Sequence, residues 1–173
     1  MKTYLKRTWA NPKLISGKSN IHGDGVIANE AIVEGEKLME FGGDAVSRRE
    51  AFSGDYRSRS VWMINDDVFL ALSKSDARPS LDEHLNHSCD ANAWLVDEVN
   101  LVAKKSIPAG EEVTLDQGTW NFEDSGYTDN QEACSCGSRY CRHTLTENDW
   151  KLPEVQERYK GHFHPMIMKQ IKG

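Results

Sequence analysis

Long apolar runs are missing from this chain. The longest stretches are a few residues, far short of the about 20 that a membrane-spanning helix needs, so no membrane partner is expected. The N-terminal "MKTYLKRTWANPK" carries positive charge with no apolar segment behind it, which is not the pattern of a secretory signal. An intracellular protein, cytoplasmic or nuclear, is expected. An excess of positive charge is missing too: 21 Lys and Arg stand against 27 Asp and Glu, for a formal net charge of -6. A surface of that sign repels phosphate backbones, which argues against direct nucleic-acid binding. It attracts basic partners, or simply keeps a small protein in solution. Internal repeats and low-complexity tracts are absent. What remains is a chain of 173 residues with an ordinary 38% of hydrophobic residues, enough for one domain with at most an appendage.

The apolar residues fall in short β-type runs. Residues 14–43 read as short strands punctuated by glycine. Ser47 to Phe52 reads as a short helix, with Ser47 as N-cap and Glu50 three residues on. Residues 60–72, "SVWMINDDVFLAL", read as a hairpin turning at Asn65-Asp66-Asp67. Residues 99–104 and 112–116 read as two more strands joined by the proline-glycine turn "SIPAGEE", and 117–133 as a loop. The character changes near residue 145, after which "TENDWKLPEVQERYKGHF" predicts a helix from Pro153, a residue suited to the first turn. Many short strands and few helices predict a mainly β domain.

Cysteine is also scarce, four in all, and three of them cluster. Cys134, Cys136 and Cys141 form C-x-C-G-x3-C. Cysteines one residue apart do not bridge without strain, and three close thiols with a glycine among them suggest a metal knuckle. Structural zinc takes four ligands, so one is missing locally. The candidates are Cys89 and His143. Cys89 is favoured because it uses every cysteine in the chain, the alternative being that it is a plain buried thiol. If Cys89 ligates, the metal pins "LNHSCDANAW", Leu85 to Trp94, onto the C-terminal knuckle.

These segments together resemble the SET-domain protein-lysine methyltransferases that carry a zinc-binding post-SET segment. "SNIHGDGVIANEAIVEGEKLMEFGG" is similar to the first SET motif and "LNHSCDANA" to the N-H-S-C-x-x-N core motif. "NLVAKKSIPAGEEVTLDQG" is similar to the strands before the catalytic tyrosine, and "CSCGSRYCRH" to the post-SET C-x-C-x4-C. Four such motifs occur in family order between Leu14 and Leu145. The resemblance implies a mainly β SET fold of several short sheets with a pseudoknot, few short helices, a small zinc knuckle and a C-terminal helical tail. It divides the chain into an N-terminal flank (1–13), a SET domain (14–118), a post-SET zinc segment (119–145) and a helical extension (146–173).

The implied cofactors are S-adenosylmethionine and one structural zinc ion, and the implied partner is a lysine-containing protein or peptide such as a histone. His22, Gly23, Gly25, Asn86, His87, Thr144 and Leu145 would contact the methyl donor, the glycines by letting backbone approach closely. Cys89, Cys134, Cys136 and Cys141 would hold the zinc. Gln117 and His87 would stand at the reacting centre, with Leu115, Trp120 and Tyr127 along the lysine channel.

Two departures stand out. "EVTLDQ", Glu112 to Gln117, places Leu115 and Gln117 where relatives have tyrosines, and Gln117 takes the catalytic position. Gln117 is an engineered replacement, a natural residue whose role Tyr127 or Trp120 fills, or the mark of a catalytically inactive binding module. A methyltransferase of free lysine or another small amine is a further reading. Glu83 and His84 stand where relatives usually have an arginine and an aromatic residue. Acidic residues near the motifs (Asp82, Glu83, Asp97, Glu98, Glu123, Asp124) would suit a basic peptide, or form a solvated face.

Overall fold

A computed structural model of the chain describes residues 2–122 and 132–172. Short strands dominate it. The first half contributes β1 (Trp9–Ala10), β2 (Leu14–Lys18), β3 (Asp24–Ala28), β4 (Lys37–Glu40), β5 (Asp44–Val46), β6 (Trp62–Met63) and β7 (Phe69–Ala71). The second half contributes β8 (Asn86–His87), β9 (Ala93–Leu95), β10 (Asn100–Ala103), β11 (Glu112–Leu115), β12 (Glu132–Ala133) and β13 (Thr144–Leu145). Helices are few: α1 (Arg48–Ala51), α2 (Pro153–Arg158), α3 (Pro165–Lys172) and several single 3-10 turns. The architecture is mainly β, as the sequence predicts. Among the described residues no helix is long and apolar enough to cross a membrane.

The strands form four small sheets. One has the order β1-β4-β10-β9 and a second β2-β3-β11-β8; β5-β7-β6 and the pair β12-β13 make the others. The predicted turn at 65–67 closes β6 onto β7, with Asn65 Oδ1 accepting from the N–H groups of Asp67 and Val68. The predicted capping box at α1 is present: Glu50 N–H donates to Ser47 Oγ and Ser47 N–H to the Glu50 carboxylate. The strands at 100–103 and 112–115 are both present, but they do not pair with each other. The Pro108–Gly110 turn, with Gly110 at φ 87°, carries the chain from the first sheet to the second. Trp9 and Ala10, in the predicted N-terminal flank, pair with β4.

The first core cluster fills the space between the two larger sheets, with Val26, Leu38, Met39, Leu101 and Val113 fully buried. The second joins the C-terminal helices to the hairpin: Val155, Tyr159, Phe163 and Ile167 pack with Met63, Phe69 and Ala91. The change of character near residue 145 is therefore a change in secondary structure and not a break in packing. His162 stacks on Trp94 at 3.6 Å and 1°, tying the tail to β9.

His164 lies in this tail at 2% exposure, edge-on to Trp62, with Nδ1 accepting from Met166 N–H. Burial holds its imidazole down to about 4. The unfolded chain protonates it near 6.5, while the folded chain keeps it neutral. Its contribution to stability is therefore complete above about pH 6.5 and is lost as pH falls toward 4. Urea unfolding between pH 7 and 4.5 should show stability falling with acid. His164→Asn should flatten that slope by up to about 1.4 kcal/mol per pH unit; an unchanged slope would mean that another group carries the dependence.

Candidate functional site

Strand β8 brings the site together. It lies parallel to β11, with Asn86 opposite Thr114 and His87 opposite Leu115. Two residues of strand suffice because their side chains make the remaining connections. Asn86 Nδ2 faces three acceptors: the carbonyls of His22 and Asp24 and Glu112 Oε1, at 2.8 to 3.1 Å. The other Glu112 oxygen accepts from Ser19 Oγ, which in turn accepts from the N–H groups of Ile21 and His22. The glycine turn before β3 is thus fastened to the Asn-His segment by hydrogen bonds. Gly23 sits at φ 56°, where a Cβ is strained, and a Cβ on Gly25 would stand 2.3 Å from Glu112 Oε1. Gly23 is accounted for by the turn's geometry and Gly25, in β3, by the approach of Glu112.

His87 points away from that turn. Its Nδ1 accepts the backbone N–H of Gln117 at 3.0 Å, and its Nε2 lies 3.2 Å from Cys89 Sγ. An acceptor nitrogen carries no proton, so the neutral ring is protonated on Nε2, which donates toward the sulfur. Burial keeps the ring neutral, lowering it to about 4.

Cys89 is fully buried and 3.8 Å from Cys134 Sγ. One ligand atom each from His87, Cys89, Cys134 and Cys136 lies within 4.8 Å of the others, a cluster able to take one metal ion. Cys141 Sγ lies 3.6 Å from the Cys134 carbonyl oxygen, beside this group. Backbone N–H groups of Arg142 and His143 point at Cys89 Sγ and Cys141 Sγ. Gly137 and His143 take left-handed conformations that fold the knuckle back on itself, whereas His143, the alternative fourth ligand, is exposed and outside the cluster. Burial pushes the Cys89 thiol up to about 11 and Cys134 well above its ordinary value. For Cys136 the N–H groups of Cys89 and Ser138 overcome burial and bring it down to about 6. A cation between them is what would hold all of these sulfurs as thiolates, and the donor set fits a thiophilic ion such as zinc.

Beneath the knuckle runs a buried ion network. Asp116 is fully buried, and both its oxygens accept from the Arg142 guanidinium at 2.6 and 2.8 Å. Arg142 Nε also donates to Asp149 at 2.7 Å. The tail adds three contacts to the Cys89 segment: Arg158 and the Tyr159 hydroxyl donate to the Cys89 carbonyl, and Ala91 N–H donates to the Tyr159 hydroxyl.

These elements enclose a cleft of about 550 Å³, within the range of small-molecule sites. Of the residues singled out in the sequence, His22, Asn86, His87, Leu115, Gln117, Trp120 and Leu145 line it, and Cys134 closes one end. Gly23 belongs to the adjoining turn and Gly25 to β3, Thr144 is exposed on β13, and Tyr127 lies outside the described residues. Sequence reasoning missed Phe41, Arg59 and Trp62 as lining residues, and it read Asp82 only as part of an acidic rim. Phe41 stacks on Trp62 at 4.1 Å, and Trp62 leans on Trp120 at 5.3 Å, so one wall is aromatic. Among the described lining residues there is no tyrosine.

The sequence model of the SET domain matches residues 23–118, and the chain belongs to the SET domain family. It is 31% identical over 140 residues to the histone-lysine N-methyltransferase trithorax of Drosophila virilis (74% of this chain, 3% of that protein). It is 28% identical over 153 residues to an H3 lysine-36 specific histone-lysine N-methyltransferase of Debaryomyces hansenii (80% of this chain, 19% of that protein). With histone-lysine N-methyltransferase ASHH1 of Arabidopsis thaliana it shares 32% over 150 residues (80% of this chain, 29% of that protein). The chain spans less than a third of the length of each of these relatives.

The Asn86–Glu112–Gly25 packing is testable by a double-mutant cycle. Gly25→Ala should destabilise the protein by about 1–3 kcal/mol, because the new methyl displaces the Glu112 carboxylate from Asn86. With Glu112→Ala already in place, adding Gly25→Ala should cost much less. Additive losses in chemical denaturation would show that the two residues do not compete for that space.

Proposed function

We propose that this chain is an S-adenosylmethionine-dependent N-methyltransferase module acting on a lysine side chain of a protein, such as a histone or another basic protein. The observation that carries the reading is convergence. The glycine turn, the Asn86-His87 pair and Gln117 border one cleft, and hydrogen bonds join them. The relatives' names supply the reaction class. When bound, the donor supplies an electrophilic methyl group on a sulfonium.

The protein's own part is binding, drying and alignment. His22, Gly23, Gly25, Asn86, His87, Thr144 and Leu145 would form the donor's surroundings, with β13 covering one side. Leu115 and Trp120 would wall the lysine channel, with Trp62 beside Trp120 as an aromatic surface. A free lysine has a pKa of about 10.4, and a dry channel beside a positive charge disfavours its ammonium form. Gln117 can accept or donate a hydrogen bond at the reacting centre but has no acid-base function. His87 would act there through its bond to the Gln117 N–H, holding the backbone that presents Gln117.

The cysteines would hold one structural zinc ion. The tautomer of His87 supports Cys89, Cys134, Cys136 and Cys141 as ligands: a ring nitrogen that donates to sulfur has no lone pair for the metal. Metal analysis should find one zinc ion per chain, lost in Cys89→Ser and in Cys141→Ser but retained in His87→Asn. Chelation should loosen the segment after residue 132 toward proteolysis. Retention of zinc by Cys141→Ser with loss in His87→Asn would make the imidazole the fourth ligand.

A second reading follows from Gln117 and the lack of a described cleft tyrosine: a SET fold that binds the donor or a lysine peptide without turnover. Labelled methyl transfer to histones, basic peptides and free lysine separates the two. We expect Gln117→Tyr to raise transfer to protein lysine by roughly 10² or more. Donor binding without transfer by either form would favour the binding module, and transfer to free lysine alone would move the substrate to a small amine.

A further inference from the structure

The charge of the cleft singles out two residues that the sequence motifs do not include. Among its described lining residues Arg59 is the only ammonium or guanidinium group and Asp82 the only carboxylate. They stand on two adjoining 3-10 turns, Ser58–Ser60 and Leu81–His84, which pack against each other. The neighbouring charges are already committed. Arg57 takes Glu83 at 3.2 Å, while Arg7 and Arg78 both take Asp76. Neither Arg59 nor Asp82 has an ion-pair partner among the described residues; Asp82 accepts hydroxyl hydrogen bonds from Ser80 and Thr8 but faces no cation. Burial raises the Asp82 carboxyl above its ordinary value, as for an acid lacking a counter-charge. The rest of the lining is aromatic, aliphatic or neutral polar apart from the two imidazoles of His22 and His87.

An adjacent unpaired cation and anion on one wall complement a zwitterion. The methyl donor has one zwitterionic end, its α-amino acid group; the adenosine at the other end needs stacking and neutral hydrogen bonds. We propose that Arg59 and Asp82 grip the amino-acid end of the donor, Arg59 taking the carboxylate and Asp82 the ammonium. This rests on the reading of the cleft as a donor site. It deepens that reading by placing the amino-acid end against the two 3-10 turns, away from the cysteine knuckle.

Two probes isolate the grip. S-adenosylhomocysteine has the amino-acid end and a neutral sulfur; 5′-methylthioadenosine has the same nucleoside and sulfur without it. Calorimetric titration of the full chain should give at least about tenfold tighter binding of the first. Arg59→Ala should cost S-adenosylhomocysteine on the order of tenfold and leave 5′-methylthioadenosine unchanged, with partial recovery in Arg59→Lys. Asp82→Asn should act in the same direction. Arg59 is exposed, so its replacement does not threaten the fold. If the wild-type chain binds S-adenosylhomocysteine but Arg59→Ala keeps the ratio between the probes, the grip is wrong and the donor-site reading survives. If Asp82→Asn alters the KM for a lysine peptide but not S-adenosylhomocysteine affinity, Asp82 faces the acceptor and the grip is equally wrong. Binding of neither probe would overturn both.

Discussion

The buried Asp116 carboxylate is the constraint around which the second half of the chain is arranged. It directly precedes Gln117, and it is wholly removed from water, so it needs a full complement of donors. Arg142 supplies two and the Gly118 N–H a third. Because Arg142 lies one residue past Cys141, meeting that demand fixes the knuckle over the cleft. Because the same guanidinium also reaches Asp149, it fixes the start of the tail as well. Removing one member of such a network leaves an uncompensated buried charge, typically a loss of about 3–5 kcal/mol. Three stretches far apart in sequence are therefore held in one arrangement by a single planar cation with a fixed fork of donors.

That arrangement shapes what the cleft can do. His87 spans the distance between the sulfur cluster and the backbone of Gln117, one ring nitrogen serving each. Any ion taken by the cysteines is thus two hydrogen bonds from Gln117. The aromatic wall of Phe41, Trp62 and Trp120 lies on the other side, braced by the Trp62 Nε1 bond to the Glu98 carbonyl. The cleft has rigid walls and a soft carboxamide where a phenol would give a ring and an ionisable hydroxyl.

Local features were legible in the sequence and distant ones were not. The Ser47–Glu50 capping box, the 65–67 turn and Pro153 at the start of α2 depend on neighbours within a few residues, and all stand as predicted. The cysteine spacing was legible because few chemistries need three thiols so close. Strands β8, β9, β12 and β13 left no periodic signal, being two or three residues long. Nothing in "GDYRSRSVWM" shows that Arg59 and Trp62 face a cleft; that depends on the packing of two 3-10 turns 20 residues apart. The role of Arg142 was not legible because its two carboxylate partners, 26 and 7 residues away, meet only in the folded chain. The sequence also could not show that β10 and β11, joined by an obvious turn, would part into different sheets.

The pairing of β8 with β11 has a kinetic side. A two-residue parallel strand cannot nucleate anything: it gains few bonds, and its partner is 28 positions along the chain. Its anchor points on the 19–25 turn are more than 60 positions away in the other direction. The β3–β11 pairing must exist before Asn86 has a place to bind. The cleft is accordingly among the last parts of the molecule to be assembled, and contacts of such long range make refolding slow relative to helical proteins of the same size. A chain that has collapsed and formed its hairpins can still be without a site.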